Sequence, residues 1–259
     1  MIYLEKPKYN FDDLVAIMDK LRGPGGCPWD IEQDHASIRR NFIEEVYEAC
    51  EAIDEKDNVL LCEELGDVML QVVFHAHIAR QEGAFDLDDV CDGICRKLIL
   101  RHPHIFGDVK ADTAEQVLKN WDEIKKQEKQ QKTYTQTMED VAKSLPALIY
   151  AEKVQKRAKK VGFDWPDVSG ALEKVHEEAD ELQQALQNGS NVEEELGDLL
   201  FAAVNVARFA KVDPEEALVN ATRKFIRRFA KMEQMAGDSL SGMTLEEMDK
   251  LWDAAKQCE

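Results

Sequence analysis

One pattern of acids on a pair of helices is written twice in this chain. Glu44-Glu45-x-x-Glu48 followed by Glu64-x-x-Asp67 returns as Glu177-Glu178-x-x-Glu181 and Glu195-x-x-Asp198, 133 and 131 residues later. A repeat of that period constrains the fold more than any local propensity, because each copy must be one self-similar unit. Other markers keep step. Lys97 and Arg101 recur as Lys224 and Arg228 at an offset of 127, and "TAEQVLKNWDEIKKQE" (113–128) matches "TLEEMDKLWDAAKQCE" (244–259) at 131, with Trp121 over Trp252. Each half also opens on a Trp-bearing turn, "GGCPWD" and "VGFDWPD". The 259 residues suit two domains of ordinary size. The Gln/Lys/Thr-rich stretch 125–137 has the composition of a connection. The expected division is 1–126, a linker over 127–143, and 144–259.

Both halves read as helical. Ile43, Val46, Tyr47, Cys50 and Ile53 keep an i, i+3, i+4, i+7 stripe, as do Leu61, Leu65, Val68 and Val72. Leu196, Leu199, Leu200, Ala203 and Val204 repeat it in the second half. "EKDN" (55–58) and "GSN" (189–191) supply short connections between antiparallel helices, so the expected fold is all-α, two helical bundles in tandem. A net charge of −19 argues against a nucleic-acid polymer or an anionic membrane as partner. No apolar stretch approaches the roughly 20 residues of a membrane span, and the start lacks the basic and apolar regions of a leader. Six scattered cysteines without a C-x-x-C pair point to the cytoplasm. Cys91 and Cys95, one turn apart, are expected on a buried helix face.

A single E-x-x-E is usually a solvated helix face. Here the pattern is repeated intact over two helices, and its acids are expected to border the apolar stripes. Glu45 with Glu48 and Glu64 with Asp67 each share a helix face, and antiparallel packing would make the four converge. Gly66 and Gly197 are expected to admit a close neighbour. Carboxylates about 5–6 Å apart repel by roughly 3 kcal/mol per pair at an effective dielectric near 20. Several such pairs rival a domain's total stability of about 5–15 kcal/mol, so the cluster wants a cation. An all-oxygen donor set selects Mg²⁺, with Mn²⁺ as a substitute. Lys97 with Arg101, and Lys224 with Arg228, stand at i, i+4 and could neutralise the phosphates of a polyphosphate bridged by that metal.

The combination E-E-x-x-E, E-x-x-D, twice over, with "CPWD" in front and "RHPHIF" between, resembles the MazG family of nucleoside triphosphate pyrophosphohydrolases. The resemblance implies an all-α dimer, a homodimer here, that hydrolyses NTPs and dNTPs to the monophosphate and pyrophosphate with Mg²⁺. It implies metal ligands Glu178, Glu181, Glu195 and Asp198, with Glu45, Glu48, Glu64 and Asp67 as their first-half counterparts. Lys174, Lys224 and Arg228 would hold phosphates, with Lys97 and Arg101 matching the latter two. Glu194 joins the nucleotide-binding set, and Trp252 would touch the nucleotide. Glu177, left without a ligand role, is the candidate to activate water, and Glu178, Lys224 and Arg228 complete the catalytic set. The C-terminal repeat is expected to be the main catalytic one, since Lys174 precedes Glu178 by one turn while its counterpart is Asn41. Trp29 and Trp165 read more readily as aromatic plugs than as base contacts. His75, His77, His102 and His104 have no second-half partners, and "RHPHIF" reads as a helix end broken at Pro103. A ferritin-like di-iron bundle wants Glu-x-x-His on two helices; on the repeated acid helices only Glu173-x-x-His176 fits, its counterpart being Arg40-x-x-Ile43. A dimeric regulator that binds nucleotide or metal without turnover remains the alternative.

Overall fold

The computed structural model describes residues 6–111, 113–117, 120, 121, 124 and 133–257. All regular elements among these residues are helices. The chain divides into two compact units, Met1–Glu128 and Lys129–Glu259. Residues 127–132 of the expected linker lie outside the described residues. The rest of that linker is not simply a connection. Thr133 caps a helix over Tyr134–Glu139 through a reciprocal box with Gln136, and this helix packs on the one that follows.

In the first unit the helices are α1 (Phe11–Arg22), α2 (Pro28–Glu32), α3 (Arg39–Glu55), α4 (Asn58–Glu82), α5 (Leu87–Arg101) and α6 (Pro103–Phe106). Asn10 and Asp13 form a capping box at the start of α1. The α3–α4 hairpin turns on Lys56, held at φ 58°, and on Asp57, whose side chain caps α4. Pro103 occupies the first turn of α6 just after α5 stops, as "RHPHIF" suggests. The core lies between α1, α4 and the entry to α3: Met18, Ile38, Val73, Phe74 and Ile78 are buried together, with Leu14, Val15, Leu70 and Leu87 around them.

The second unit holds α7 (Tyr134–Glu139), α8 (Ala147–Lys159), α9 (Val168–Asn188), α10 (Val192–Ala210), α11 (Pro214–Ala236), a 3₁₀ turn (Gly237–Gly242) and α12 (Leu245–Lys256). Asp167 caps α9, and Asp213 with Pro214 opens α11. The α9–α10 hairpin is closed by Gly189 at φ +66° and Asn191 at φ +58°, left-handed positions that glycine and asparagine tolerate.

The expected orientation of the helix faces is corrected. Ile43, Val46, Tyr47, Cys50 and Ile53 do not face the chain's own core; they are exposed. The buried face of α3 is Ala49 and Ala52, on the side of Glu45. The second unit does the same, burying Ala171, Glu178 and Ala185 on α9 while Leu196 and Leu200 on α10 stay exposed. Small side chains let paired helices approach closely, and the acids lie on that seam instead of along the apolar stripe. Cys91 and Cys95 are likewise exposed, on a helix with no buried residue. A side chain added at Gly66 or Gly197 would meet nothing within 4 Å, so neither glycine is needed for a close approach within its unit. No described helix is long and apolar enough to cross a membrane.

Candidate active site

Each hairpin gathers three carboxylates. Oxygens of Glu45, Glu48 and Glu64 lie within 4.8 Å of one another, and so do those of Glu178, Glu181 and Glu195. Two acids come from one helix at i, i+3 and the third from its antiparallel partner, as the spacing requires. Asp67 stands close enough to raise both Glu45 and Glu64 electrostatically, while Asp198 lies on the wall of an adjoining pocket.

The charge is poorly compensated. Burial pushes the Glu45 carboxyl above the ordinary value of 4.5, and Asp67, Glu48 and Glu64 add to it; among the described residues a hydrogen bond from Gln71 alone opposes them. Glu64 is raised by burial and then by Glu48, Asp67 and Glu63. Glu181 is raised by burial, Glu178 and Glu195, with Lys174 pulling the other way. Lys174 Nζ reaches Glu178 at 2.7 Å and Glu177 at 3.0 Å, and these hydrogen bonds push its own pKa up.

A raised carboxyl pKa carries a sign for stability. Between its unfolded and folded values such a group binds more protons in the folded state, so stability falls as pH rises through that window. In the metal-free chain, Glu45→Gln should therefore gain on the wild type as pH climbs from 4.5 toward neutrality. Urea midpoints measured across that range check it. A difference between the two proteins that does not change with pH would show that Glu45 is not held against its neighbours' charge.

A pocket of about 330 Å³ adjoins the second cluster. Phe163, Trp165 and Phe201 supply aromatic surface; Gln155, Asp164, Asn205 and Arg208 supply polar groups; Lys174, Glu178 and Asp198 join it to the acids. Arg208 is buried and fully engaged in shaping it. Its Nε donates to Asn205 at 2.8 Å, both terminal nitrogens donate to Asp164, and its guanidinium lies 4.4 Å from the Phe209 ring centre. Burial would raise Asp164, but Arg208 and Lys159 overcome it and hold this carboxyl below its usual range. The Gln155 amide donates to the Phe201 carbonyl at 2.8 Å. Gly170 seats Trp165, because a Cβ at that position would stand 2.2 Å from the indole Cδ1.

The first unit builds this region differently. At an offset of 131 the counterpart of Asn205 is Phe74 and that of Arg208 is His77, both buried. Phe74 packs with Met18 and Ile38 in the core, and His77 bonds Asp19 at 3.2 Å. Apolar packing thus occupies the place where the second unit has a polar pocket.

Not every expected residue meets at the cluster. Lys224 and Arg228 sit on α11, which packs on α12, the 3₁₀ turn, α8 and α10, and they do not enter the charge balance of Glu181. Trp252, on α12, packs its ring 5.0 Å from that of Phe225 on α11. Its first-half counterpart Trp121 lies 5.4 Å from the Arg101 guanidinium, and Lys97 is exposed. Glu194 is exposed on α10, and Glu177 is occupied with Lys174. Residues absent from the expected site are Gln155, Phe163, Asp164, Phe201, Asn205 and Arg208. Trp165, expected as a plug, lines the pocket.

The clusters fit a hard divalent cation. Oxygens around one Mg²⁺ at about 2.1 Å stand roughly 3 to 4.2 Å apart, so three carboxylates already within 4.8 Å need close only slightly. All the donors are oxygen, and their mutual repulsion is what a cation relieves.

Comparison with known proteins shows the family. The profile of the MazG nucleotide pyrophosphohydrolase domain matches residues 33–106 and 168–232, spanning both acid hairpins. The chain is 49% identical to the nucleoside triphosphate pyrophosphohydrolase/pyrophosphatase MazG of Thermotoga maritima, over 95% of each chain. It is 44% identical to the nucleoside triphosphate pyrophosphohydrolase of Escherichia coli K12, over 96% of this chain and 97% of the other. It is also 50% identical to the uncharacterized protein YabN of Bacillus subtilis, over 97% of this chain but 52% of that longer one. With both repeats matched and full-length identity this high, the chain belongs to the MazG nucleotide pyrophosphohydrolase family.

Proposed function

We propose that this protein hydrolyses nucleoside triphosphates, ribo and deoxyribo, to the monophosphate and pyrophosphate, and that the second unit is its main catalytic centre. The observation behind the assignment is the junction of two features through Lys174, Glu178 and Asp198: three converged carboxylates, and a pocket of about 330 Å³ walled by aromatics. Pockets that bury small molecules start near 300 Å³ and combine apolar walls with a few placed polar groups. A base with its sugar suits the aromatic end, and a polyphosphate suits the acid end once its charge is balanced.

Mg²⁺, with Mn²⁺ as a substitute, would be held by Glu178, Glu181, Glu195 and Asp198, where it would polarise the α-phosphate and lower the pKa of an attacking water. Lys174 lies within reach of the same end and is suited to bind phosphate oxygens. Glu177, released from Lys174, would accept the proton of that water in this reading. Lys224 and Arg228 neutralise the departing pyrophosphate in this reading. In the first unit Glu45, Glu48, Glu64 and Asp67 suit a cation, but Phe74 and Met18 fill the room a base would need.

Solvent ¹⁸O tests the chemistry. Attack at the α-phosphorus puts label in the monophosphate, and that is the expected product. Release of nucleoside diphosphate and orthophosphate would refute the assignment. Nucleotide binding without turnover, with Mg²⁺ or Mn²⁺ present, would favour the regulator reading.

The working form is a homodimer in this reading. On α5, Val90, Ile94, Leu98, Ile99 and Leu100 are exposed; on α11, Leu218, Val219, Phe225 and Ile226 are. Apolar rows of that length mark surfaces that another protein covers, and a second copy is the commonest solution. Light scattering should give twice the 29.5 kDa of one chain; a monomer at micromolar concentration would exclude it.

A further inference from the structure

The two acid clusters differ in one neighbour. In the second unit the Lys174 ammonium lies 2.7 Å from Glu178, which is 5% exposed and belongs to the converged set. Its charge reaches Glu181 too, where it opposes the repulsion of Glu178 and Glu195. The first unit has Asn41 at the matching place, 133 residues earlier. Glu45 and Glu64 are raised by burial and by other acids, relieved among the described residues only by the Gln71 hydrogen bond to Glu45. Among the described residues, one cluster therefore keeps a resident cation on its buried acid, and the other is left to its own repulsion.

We propose that Lys174 is a placeholder for the divalent cation: metal entering the second cluster displaces it, and a triphosphate then captures it, whereas the first cluster takes up metal with no such exchange. The inference rests on the metal reading given under Proposed function. The ammonium occupies carboxylate lone pairs that an ion needs and cancels part of the field that would attract one. Displacing it costs affinity unless new acceptors are at hand, and phosphate oxygens are strong ones. Metal and triphosphate must then favour each other's binding in the second unit, by the same factor in both directions. The consequence is order. The first cluster fills at lower metal concentration, and the second fills when substrate arrives, so metal is not held at the catalytic centre of an idle enzyme.

An ordinary i, i+4 helix pair would show none of this coupling. The test uses Mn²⁺, counted by the paramagnetic resonance of the free ion, on the full chain. Glu48→Gln with Glu64→Gln isolates the second cluster, and Glu181→Gln with Glu195→Gln isolates the first. The second should bind Mn²⁺ on the order of tenfold more weakly than the first, the scale of one partly exposed neighbouring charge. The α,β-methylene analogue of ATP should recover that factor. Lys174→Met should tighten Mn²⁺ at the second cluster without nucleotide and abolish the analogue's effect. The reciprocal change, Asn41→Lys, should weaken the first cluster by a similar factor, so the argument does not hang on one variant's folding. Unchanged Mn²⁺ affinity and unchanged coupling in Lys174→Met, with triphosphate hydrolysis intact in the wild type, would overturn the placeholder alone. Failure of either cluster to bind Mn²⁺ would remove the metal reading beneath it.

Discussion

Glu181→Gln should lower triphosphate turnover by roughly three orders of magnitude, while Glu48→Gln should leave it within about twofold. The two residues occupy matching places, each one turn after a more buried glutamate and each within 4.8 Å of two other acids. A metal's stabilisation of charge on a phosphoryl oxygen amounts to several kcal/mol, and about 4 kcal/mol corresponds to three decades of rate. What separates the two is the surroundings: Glu181 shares its cluster with Glu178, which lines the pocket of about 330 Å³. Folding offers a control with the opposite sign. The Glu181 carboxyl is raised by desolvation and then by the charge of Glu178 and Glu195, so replacing it relieves repulsion. The metal-free variant should melt no lower than the wild type, and lost activity could not then be blamed on lost structure. Steady-state rates and a thermal melt on the same preparations decide the matter. Comparable losses at Glu48 and Glu181 would mean that both units work, or that one site draws on both.

The repeat makes much of this legible in the sequence. Two copies of a helix-pair pattern fix the helices and their hairpin turns, because Lys56–Asp57 and Gly189–Asn191 are short links between long periodic segments. The convergence of acids was legible too, since i, i+3 spacing on facing helices leaves little freedom. The faces were not. Periodicity says that Ile43, Val46, Tyr47 and Ile53 share a side of α3; it cannot say whether that side meets the same chain or something beyond it. Ala49, Ala52, Ala171 and Ala185 form the seams, and alanine is too weakly apolar to announce a core. The pocket was hidden for a related reason. Its polar residues are scattered over α8, the 160–167 turn and α10, and no short motif joins them. One signal was available: Asn205 and Arg208 interrupt "LLFAAVNVARFA" at i, i+3, and a polar pair inside so apolar a helix must find partners. Asp164, in the turn ahead of α9, is the partner it found.

That partnership should be the most costly single interaction to break in the second unit. Arg208→Met should destabilise the unit by about 3 kcal/mol, at the lower end for a buried pair because Asp164 keeps 13% exposure of its side chain. For a unit of this size that lowers the melting temperature by roughly 10 °C. The cost does not measure the strength of the salt bridge. It measures what is left behind, a largely buried Asp164 carboxylate that has lost its Arg208 partner and keeps Lys159, 3.5 Å away. Asp164→Asn in the Arg208→Met background should therefore recover much of the loss, since a neutral amide in that turn needs no counter-charge. Function separates from stability here. The pair ties the turn bearing Phe163 and Trp165 to α10, so the double variant, although refolded, should still lack a shaped pocket. Its KM for triphosphate should stay raised by an order of magnitude or more, with kcat closer to the wild type, because the acids and Lys174 are untouched. A double variant that regains stability together with its original KM would show that Arg208 and Asp164 only hold the fold, and that the base is bound somewhere other than this pocket.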